Sequence, residues 1–214
     1  IGGSEETVAQ MVNRAKAVNS ERVVLVGPDI ASDDGGTMSA VFAAAAVAAV
    51  IAGNTDPSVP INGAELTLFG AAGKRLSDNE IDQLVRGGVT PIETVGGVSS
   101  PVRGITTKTS SGGAVDTTWR ELTTILIVDE VIPTIRSALR TRFARSKNTA
   151  QSRGAIRSQV VLELEEMKSR EIVDSYGEVL VSALKSDPTV CLVEFGFTVA
   201  HGLNRIYLTA HITV

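Results

Sequence analysis

Residues 187–214 read DPTVCLVEFGFTVAHGLNRIYLTAHITV, and this stretch decides the fold of the last quarter of the chain. Cys191, Val193, Phe195, Phe197 and Val199 fall on one face of an extended segment, with Glu194, Gly196 and Thr198 opposite. Beyond residues 200–204, Ile206, Leu208, Ala210, Ile212 and Val214 alternate with Arg205, Tyr207, Thr209, His211 and Thr213. Two period-2 runs joined by a short connection predict a β-hairpin. A hairpin alone is marginal in water, so it must pack on helices or recruit more strands. Its second strand, continuing to Val214, is expected to offer an open edge to a neighbouring chain.

Working upstream, Ile132, Ile135, Leu139 and Phe143 recur at helical spacing, while Arg136, Arg140, Arg142, Arg145 and Lys147 take the other positions. Pro133 fits if this helix begins near Asp129, because proline is tolerated in a first turn. After a polar break at residues 146–152, a second helix is predicted with Ile156, Val160, Leu164 and Met167 as its buried stripe. Its outer positions carry Glu163, Glu165, Glu166 and Glu171. The net charge of −4 conceals this separation of a basic helix from an acidic one. Local sign, rather than net charge, decides what each face can meet.

The order of these segments resembles a known family. Trp119-Arg120-Glu121-Leu122, the Arg-rich helix, VVLELEEMKSREIV at residues 160–173, the DPT tripeptide and the LNRIYLTAHITV ending look like the C-terminal region of contractile phage tail sheath proteins. The Ala-rich segment AAVAAVIAGNTDPSVPINGAEL, residues 45–66, resembles that family's central region. The resemblance runs from about residue 23 onward and is strongest over residues 105–214; its specificity lies in the order of segments, not in one tripeptide.

The resemblance implies an α/β sheath core region at residues 1–106, similar to the subtilisin fold. A C-terminal, inner, polymerising domain is implied at residues 107–214. It implies stacked six-subunit rings forming a sleeve around a tail tube, with chain-terminal arms exchanged between neighbours. Contraction of that sleeve drives the tube through the host envelope. Implied partners are other sheath subunits, the tube protein, and baseplate and tail terminator proteins, in a virion tail assembled in the host cytoplasm. No cofactor, nucleic acid or membrane is called for. Arg136, Arg140, Arg142, Arg145 and Lys147 are expected to seat on an acidic tube wall. Asn204, Arg205, Ile206, Tyr207, Leu208, Thr209, Ala210, His211 and Ile212 are expected to form the exchanged strand, with residues 188–199 as its resident partner. The chain begins Ile-Gly-Gly without Met, and the resemblance implies that an N-terminal arm precedes it.

Composition agrees with a protein of this kind. A chain of 214 residues can bury a substantial core as one unit or two. Aromatic residues at 4% leave little material for stacking nucleic-acid bases, and a pI near 5.3 argues against general nucleic-acid binding. A single cysteine, Cys191, excludes an internal disulfide, and its place on an apolar strand face reads as a buried structural thiol. The apolar run at residues 38–52 is too short to span a bilayer and reads as a helix packed closely on a sheet.

The first half alternates helices with strands, which predicts a layered α/β unit with a largely parallel or mixed sheet and flanking helices. Ser4, Glu5 and Glu6 are expected to open a helix buried through Val8, Met11, Val12 and Ala15. Residues 22–26 read as a buried strand ended by Gly27-Pro28, with a loop at residues 33–36. Ser77 with Glu80 forms a capping box, and Gly87-Gly88 stops that helix. Residues 66–69, 89–94 and 102–107 read as strands, and residues 109–115 (TSSGGAV) as a flexible loop and internal boundary. The overall expectation is α/β, becoming α+β in the C-terminal part, where two helices precede the terminal hairpin.

Catalytic groups are sparse. The two histidines, His201 and His211, both lie in the predicted terminal hairpin, so residues 1–200 hold no histidine to activate a serine. VVLVGPDIASDDGG, residues 23–36, lacks both glycine patterns that cradle phosphates. Asp29, Asp33 and Asp34 do not follow calcium-loop spacing and read as turn residues; Lys74-Arg75 reads as a solvated loop. An α/β enzyme, or a nucleotide- or small-molecule-binding domain using the loops after residues 26 and 69, stays open as the alternative.

Overall fold

Thr7 and Ser77 each stand one residue ahead of a helix and close a reciprocal pair of hydrogen bonds with the third helical residue. In the first helix, α1 (Val8–Val18), Gln10 N–H donates to Thr7 Oγ1 at 3.3 Å and Thr7 N–H donates to Gln10 Oε1 at 2.9 Å. The cap is therefore Thr7, which has an amide three residues on to complete the box; of the expected opening residues, Glu6 precedes the helix, and Ser4 and Glu5 lie outside the described residues. Ser77 and Glu80 make the expected equivalent, at 3.4 and 2.9 Å.

The computed structural model describes residues 6–31, 37–66, 75–204 and 209. They form two compact units. The first comprises residues 6–31, 37–55, 59–66, 75–125, 202–204 and 209; the second comprises Asp56–Ser58 and Leu126–His201.

After α1 the first unit contains β1 (Leu25–Gly27), β2 (Ile30–Ala31), β3 (Thr37–Met38), α2 (Ala40–Gly53), α3 (Asp78–Arg86), β4 (Val89–Val95), β5 (Val98–Pro101), β6 (Ser110–Ser111) and β7 (Ala114–Val115). Its main sheet has the order β1-β4-β5 and is mixed: β1 runs parallel to β4 with Leu25 opposite Val89, and β4 runs antiparallel to β5. Met11 and Ala15 of α1 pack on Leu25, Leu84 and Val89. That approach is close enough that a Cβ on Gly27 would sit 2.4 Å from Met11 Sδ. The Ala-rich α2 buries Ala40, Ala43 and Val47, as small residues packed on a sheet should, and leaves Val41 and Phe42 exposed. No helix among the described residues is long and apolar enough to cross a membrane.

Two expectations in this unit are corrected. Residues 102–107, buried from 104 onward, are not a strand; they make one isolated bridge, between Ile105 and Glu121. Their backbone is satisfied from several segments instead of one ladder. Val102 N–H donates to Pro91 O, Ile105 N–H to Thr90 Oγ1, Thr106 N–H to Arg120 O and Thr107 N–H to Val23 O. Residues 109–115, read as a loop, form the β6–β7 hairpin, turning at Gly112-Gly113 with φ of 57° and 85°. Asn19, itself left-handed at the end of α1, clasps the root of that hairpin: its amide donates to Ser110 O, and its Oδ1 accepts from Thr109 and Ser110 N–H.

The Trp119–Leu122 motif straps residues 103–106. Glu121 holds the Arg103 guanidinium with contacts of 2.6 and 3.3 Å, Trp119 O accepts from Thr106 Oγ1, and Leu122 N–H donates to Gly104 O.

From Leu122 the chain enters α4 (Leu122–Phe143), followed by α5 (Ala150–Ser169), β8 (Val173–Tyr176), β9 (Leu180–Leu184), β10 (Asp187–Glu194) and β11 (Phe197–Val199). The α4 helix begins seven residues before Asp129, so Pro133 lies in its interior. Pro133 is exposed, while Ile127, Val131 and Ile135 one turn apart are buried; burial of that stripe carries the helix through the proline. The expected Ile132 is only half-buried because Val131 takes the core position. Together with Val160, Leu164 and Met167 of α5, and Ile172, Val173 and Val179, this stripe forms the core of the second unit.

Over that core lie two antiparallel ribbons, β9 with β10 and β8 with β11. The single strand expected across residues 191–199 is therefore two strands, parted at Phe195-Gly196. The alternating face nevertheless persists across the break, with Cys191, Val193, Phe195, Phe197 and Val199 half-buried and the intervening residues exposed. Both partners, β8 and β9, come from the segment just after α5, where no strand is expected from the sequence.

Candidate assembly surface

Arg136 and Arg140 are exposed and lie one helical turn apart on α4. Neither takes part in an ion pair among the described residues. Arg145 and Lys147, also exposed, follow the end of α4 at Phe143. Arg142 differs: its guanidinium donates to Oε1 of the buried Gln159 on α5, and the Gln159 amide donates to Glu163 Oε1 at 2.6 Å. All five basic residues expected to form a ridge are exposed, and Arg142 in addition makes this hydrogen bond within its own unit, which a charge pattern without helix-packing information could not reveal.

Glu166 on α5 and Glu171, just beyond its end, are exposed, and Glu165 accepts a hydrogen bond from the Tyr176 hydroxyl of β8. That bond to a carboxylate, followed by the smaller effect of burial, holds the Tyr176 phenol above its ordinary pKa. Among the described residues no ion pair joins α4 to α5; the ion pair made by α5 joins Arg157 to Glu178 at 3.5 Å.

The β9–β10 ribbon turns Val181 and Val193 to the core and exposes Leu180, Leu184, Val190 and Leu192. Its register places Leu192 opposite Ser182 and Glu194 opposite Leu180. Among the described residues neither outer edge of this ribbon carries a further strand. Of the expected exchanged strand, residues 205–208 and 210–214 lie outside the described residues. At its start, Asn204 Oδ1 accepts from Asn62 Nδ2 at 2.7 Å, and Thr209 is exposed.

Among the described residues, the groups considered for catalysis do not converge. His201 is exposed, and Cys191 is half-buried on β10. Among the described residues no three His, Cys, Asp or Glu side chains are grouped to hold a metal ion. Asp33, Asp34, Lys74, His211 and the loops after residues 31 and 66 lie outside the described residues. An open groove between α1 and α3 is lined by Val8, Val12, Asn13, Lys16, Gln83 and Arg86, with Arg86 paired to Asp82 at 2.8 Å. What the described surface offers is backbone edges, exposed aliphatic residues and unpaired positive charge, the equipment of an assembly module.

Residues 114–213 match the phage tail sheath C-terminal domain family. The tail sheath protein of Bacillus phage SP01 is 29% identical over 216 aligned residues, which cover 98% of this chain and 37% of the relative. The fold is similar to that of the sheath tail protein Lin1278 from Listeria innocua (TM-score 0.74, 14% identity, 93% of this chain and 45% of that one). It is likewise similar to the sheath of an extracellular contractile injection system, PVC, in its contracted state (TM-score 0.73, 14% identity, 100% and 63%). The family match thus falls on the C-terminal half of the chain, and the chain spans 37% of the length of the curated relative it matches.

Proposed function

We propose that this chain is part of a structural subunit of a contractile tail sheath. The subunits polymerise as stacked six-membered rings around a tail tube, and the sleeve shortens to drive the tube through a host envelope. Residues 1–106 act as the α/β core region and residues 107–214 as the inner, polymerising domain. The observation that carries the proposal is the sheath-family match over residues 114–213, on a unit whose β9–β10 ribbon has no described strand on either outer edge.

The physics of such a machine suits these parts. Main-chain hydrogen bonds formed by a donated strand are numerous and sequence-tolerant, and they survive when the attached bodies rotate. Contacts between bodies can then be exchanged wholesale as an extended, metastable state relaxes. Energy stored at assembly needs no nucleotide or cofactor.

The exchanged strand is residues 204–214, and Arg136, Arg140, Arg142, Arg145 and Lys147 seat the sheath on an acidic tube. Baseplate and tail terminator proteins contact the ends of the sleeve. The subunit assembles in the host cytoplasm and resides in the virion tail. Electron microscopy of the full-length gene product tests this reading. Sleeves or polysheaths are expected from the intact product, and a soluble, non-polymerising body after deletion of residues 204–214. A product that stays dispersed at high concentration contradicts it.

A further inference from the structure

In the α4–α5 connection, Asn148 donates from one carboxamide nitrogen to two backbone carbonyls of β10, Pro188 O at 2.8 Å and Val190 O at 3.2 Å. Its own orientation is held by Arg153, whose guanidinium lies 3.1 Å from Asn148 Oδ1 and 3.4 Å from its carbonyl. A cation on the oxygen side leaves the NH2 group as the part of the carboxamide that meets the strand.

The carbonyls it takes belong to the irregular stretch of β10. Pairing with β9 places Asp187 opposite Leu184 and then resumes with Cys191 opposite Ala183, so residues 188–190 have no partner on β9. Their remaining backbone groups are also partly committed. Pro188 has no N–H, and the Thr189 N–H and hydroxyl both donate to Asp187 Oδ1, at 2.9 and 2.6 Å. An incoming strand thus finds few free donors and acceptors beside residues 188–190. Residues 191–194, regularly paired with β9 on one side, carry no described strand on the other.

We propose that Asn148 is an edge stop for the β9–β10 ribbon. By occupying the acceptors at the start of β10, it confines a strand supplied by a second copy of this chain to residues 191–194 and so to one register. Natural sheets guard their edges with bulges and polar side chains against unregulated pairing, and a one-residue slip would turn every side chain of the added strand to the wrong face. The second copy is the chosen occupant because residues 206–214 alternate Ile206, Leu208, Ala210 and Ile212 with polar residues, which suits a strand laid beside the exposed Leu192. The inference rests on the strand-exchange reading above.

The test uses the intact chain, its Asn148→Ala and Asn148→Asp variants, and an excess of a peptide of residues 204–214 with a photo-reactive leucine at position 208. Thermal melts establish that each variant is folded; Asn148→Asp keeps the side-chain shape while removing the donor, should Asn148→Ala unfold. The expected result is one cross-linked window within residues 191–194 for the native chain, spreading to residues 188–190 in the variants. Peptide bound in the same window to all three proteins overturns the edge stop and leaves strand exchange standing. Peptide bound to none of them overturns both.

Discussion

Arg142 on α4 donates its guanidinium hydrogen bond to Gln159 on α5, and Gln159 is buried. This pair links the two helices that bracket the core of the second unit. Replacing Arg142 with Ala leaves the Gln159 carbonyl unpaired in a nearly closed site, a loss on the order of 1–3 kcal/mol. Denaturant unfolding is expected to show that loss for Arg142→Ala, with the urea slope unchanged. A stability within error of the native chain would mean the pair contributes nothing.

Arg136 and Arg140 should behave in the opposite way. Both are exposed and outside every ion pair of the described residues, so reversing them to Glu is expected to leave unfolding within about 0.5 kcal/mol of native. Co-sedimentation of the full-length double variant with tail tube in low salt is expected to fall, and the native protein should lose tube binding as salt is raised. Equal co-sedimentation of variant and native protein in low salt contradicts a tube-seating role.

Leu164 and Leu162 lie on the same helix, the first fully buried and the second 57% exposed. Leu164→Ala opens a cavity in the core and is expected to cost about 2–5 kcal/mol. Leu162→Ala should change stability by roughly 0.5 kcal/mol or less. Thermal denaturation of the two variants side by side checks the orientation of α5.

Gly27 tests the packing of α1 on β1. A methyl group there meets the Met11 sulfur, and Gly27→Ala is expected to destabilise the first unit by about 1–3 kcal/mol. Because the obstacle is one flexible side chain, Met11→Ala in the same background should recover part of the loss beyond additivity. A double-mutant cycle with no coupling would contradict the contact.

Asp187 gives a dependence on pH. The Thr189 hydroxyl, then the Thr189 backbone N–H, hold its carboxyl below the ordinary range. A carboxylate whose pKa is depressed by folding adds stability that is fully present above its unfolded pKa and fades as pH falls through the folded value. The stability difference between the native chain and Asp187→Ala is therefore expected at neutral pH and should shrink below the usual carboxylate range. A difference independent of pH would assign it to chain geometry instead.

Local chemistry made much of this fold legible. The Ser77 box needs only a hydroxyl and a Glu at the right spacing, and the alternation from Cys191 to Val199 survives even where the strand breaks at Gly196. The hidden parts depend on tertiary context. In β8, Asp174 and Ser175 separate Val173 from Tyr176, so little apolar periodicity marks a strand until Phe197 and Thr198 are there to pair with it. Pro133 points to a helix start near Asp129, yet burial of Ile127 and Val131 starts α4 earlier. At the candidate assembly surface, the basic residues were visible as a group; that Arg142 also bonds to Gln159 depends on how α5 packs.

The most direct test of strand exchange is a reconstruction of sheath assembled from the full-length gene product, at a resolution that traces residues 204–214. The account predicts these residues as a strand hydrogen-bonded to the β10 edge of an adjacent copy. Finding them folded onto their own chain, with neighbouring copies touching only through side chains, would contradict it.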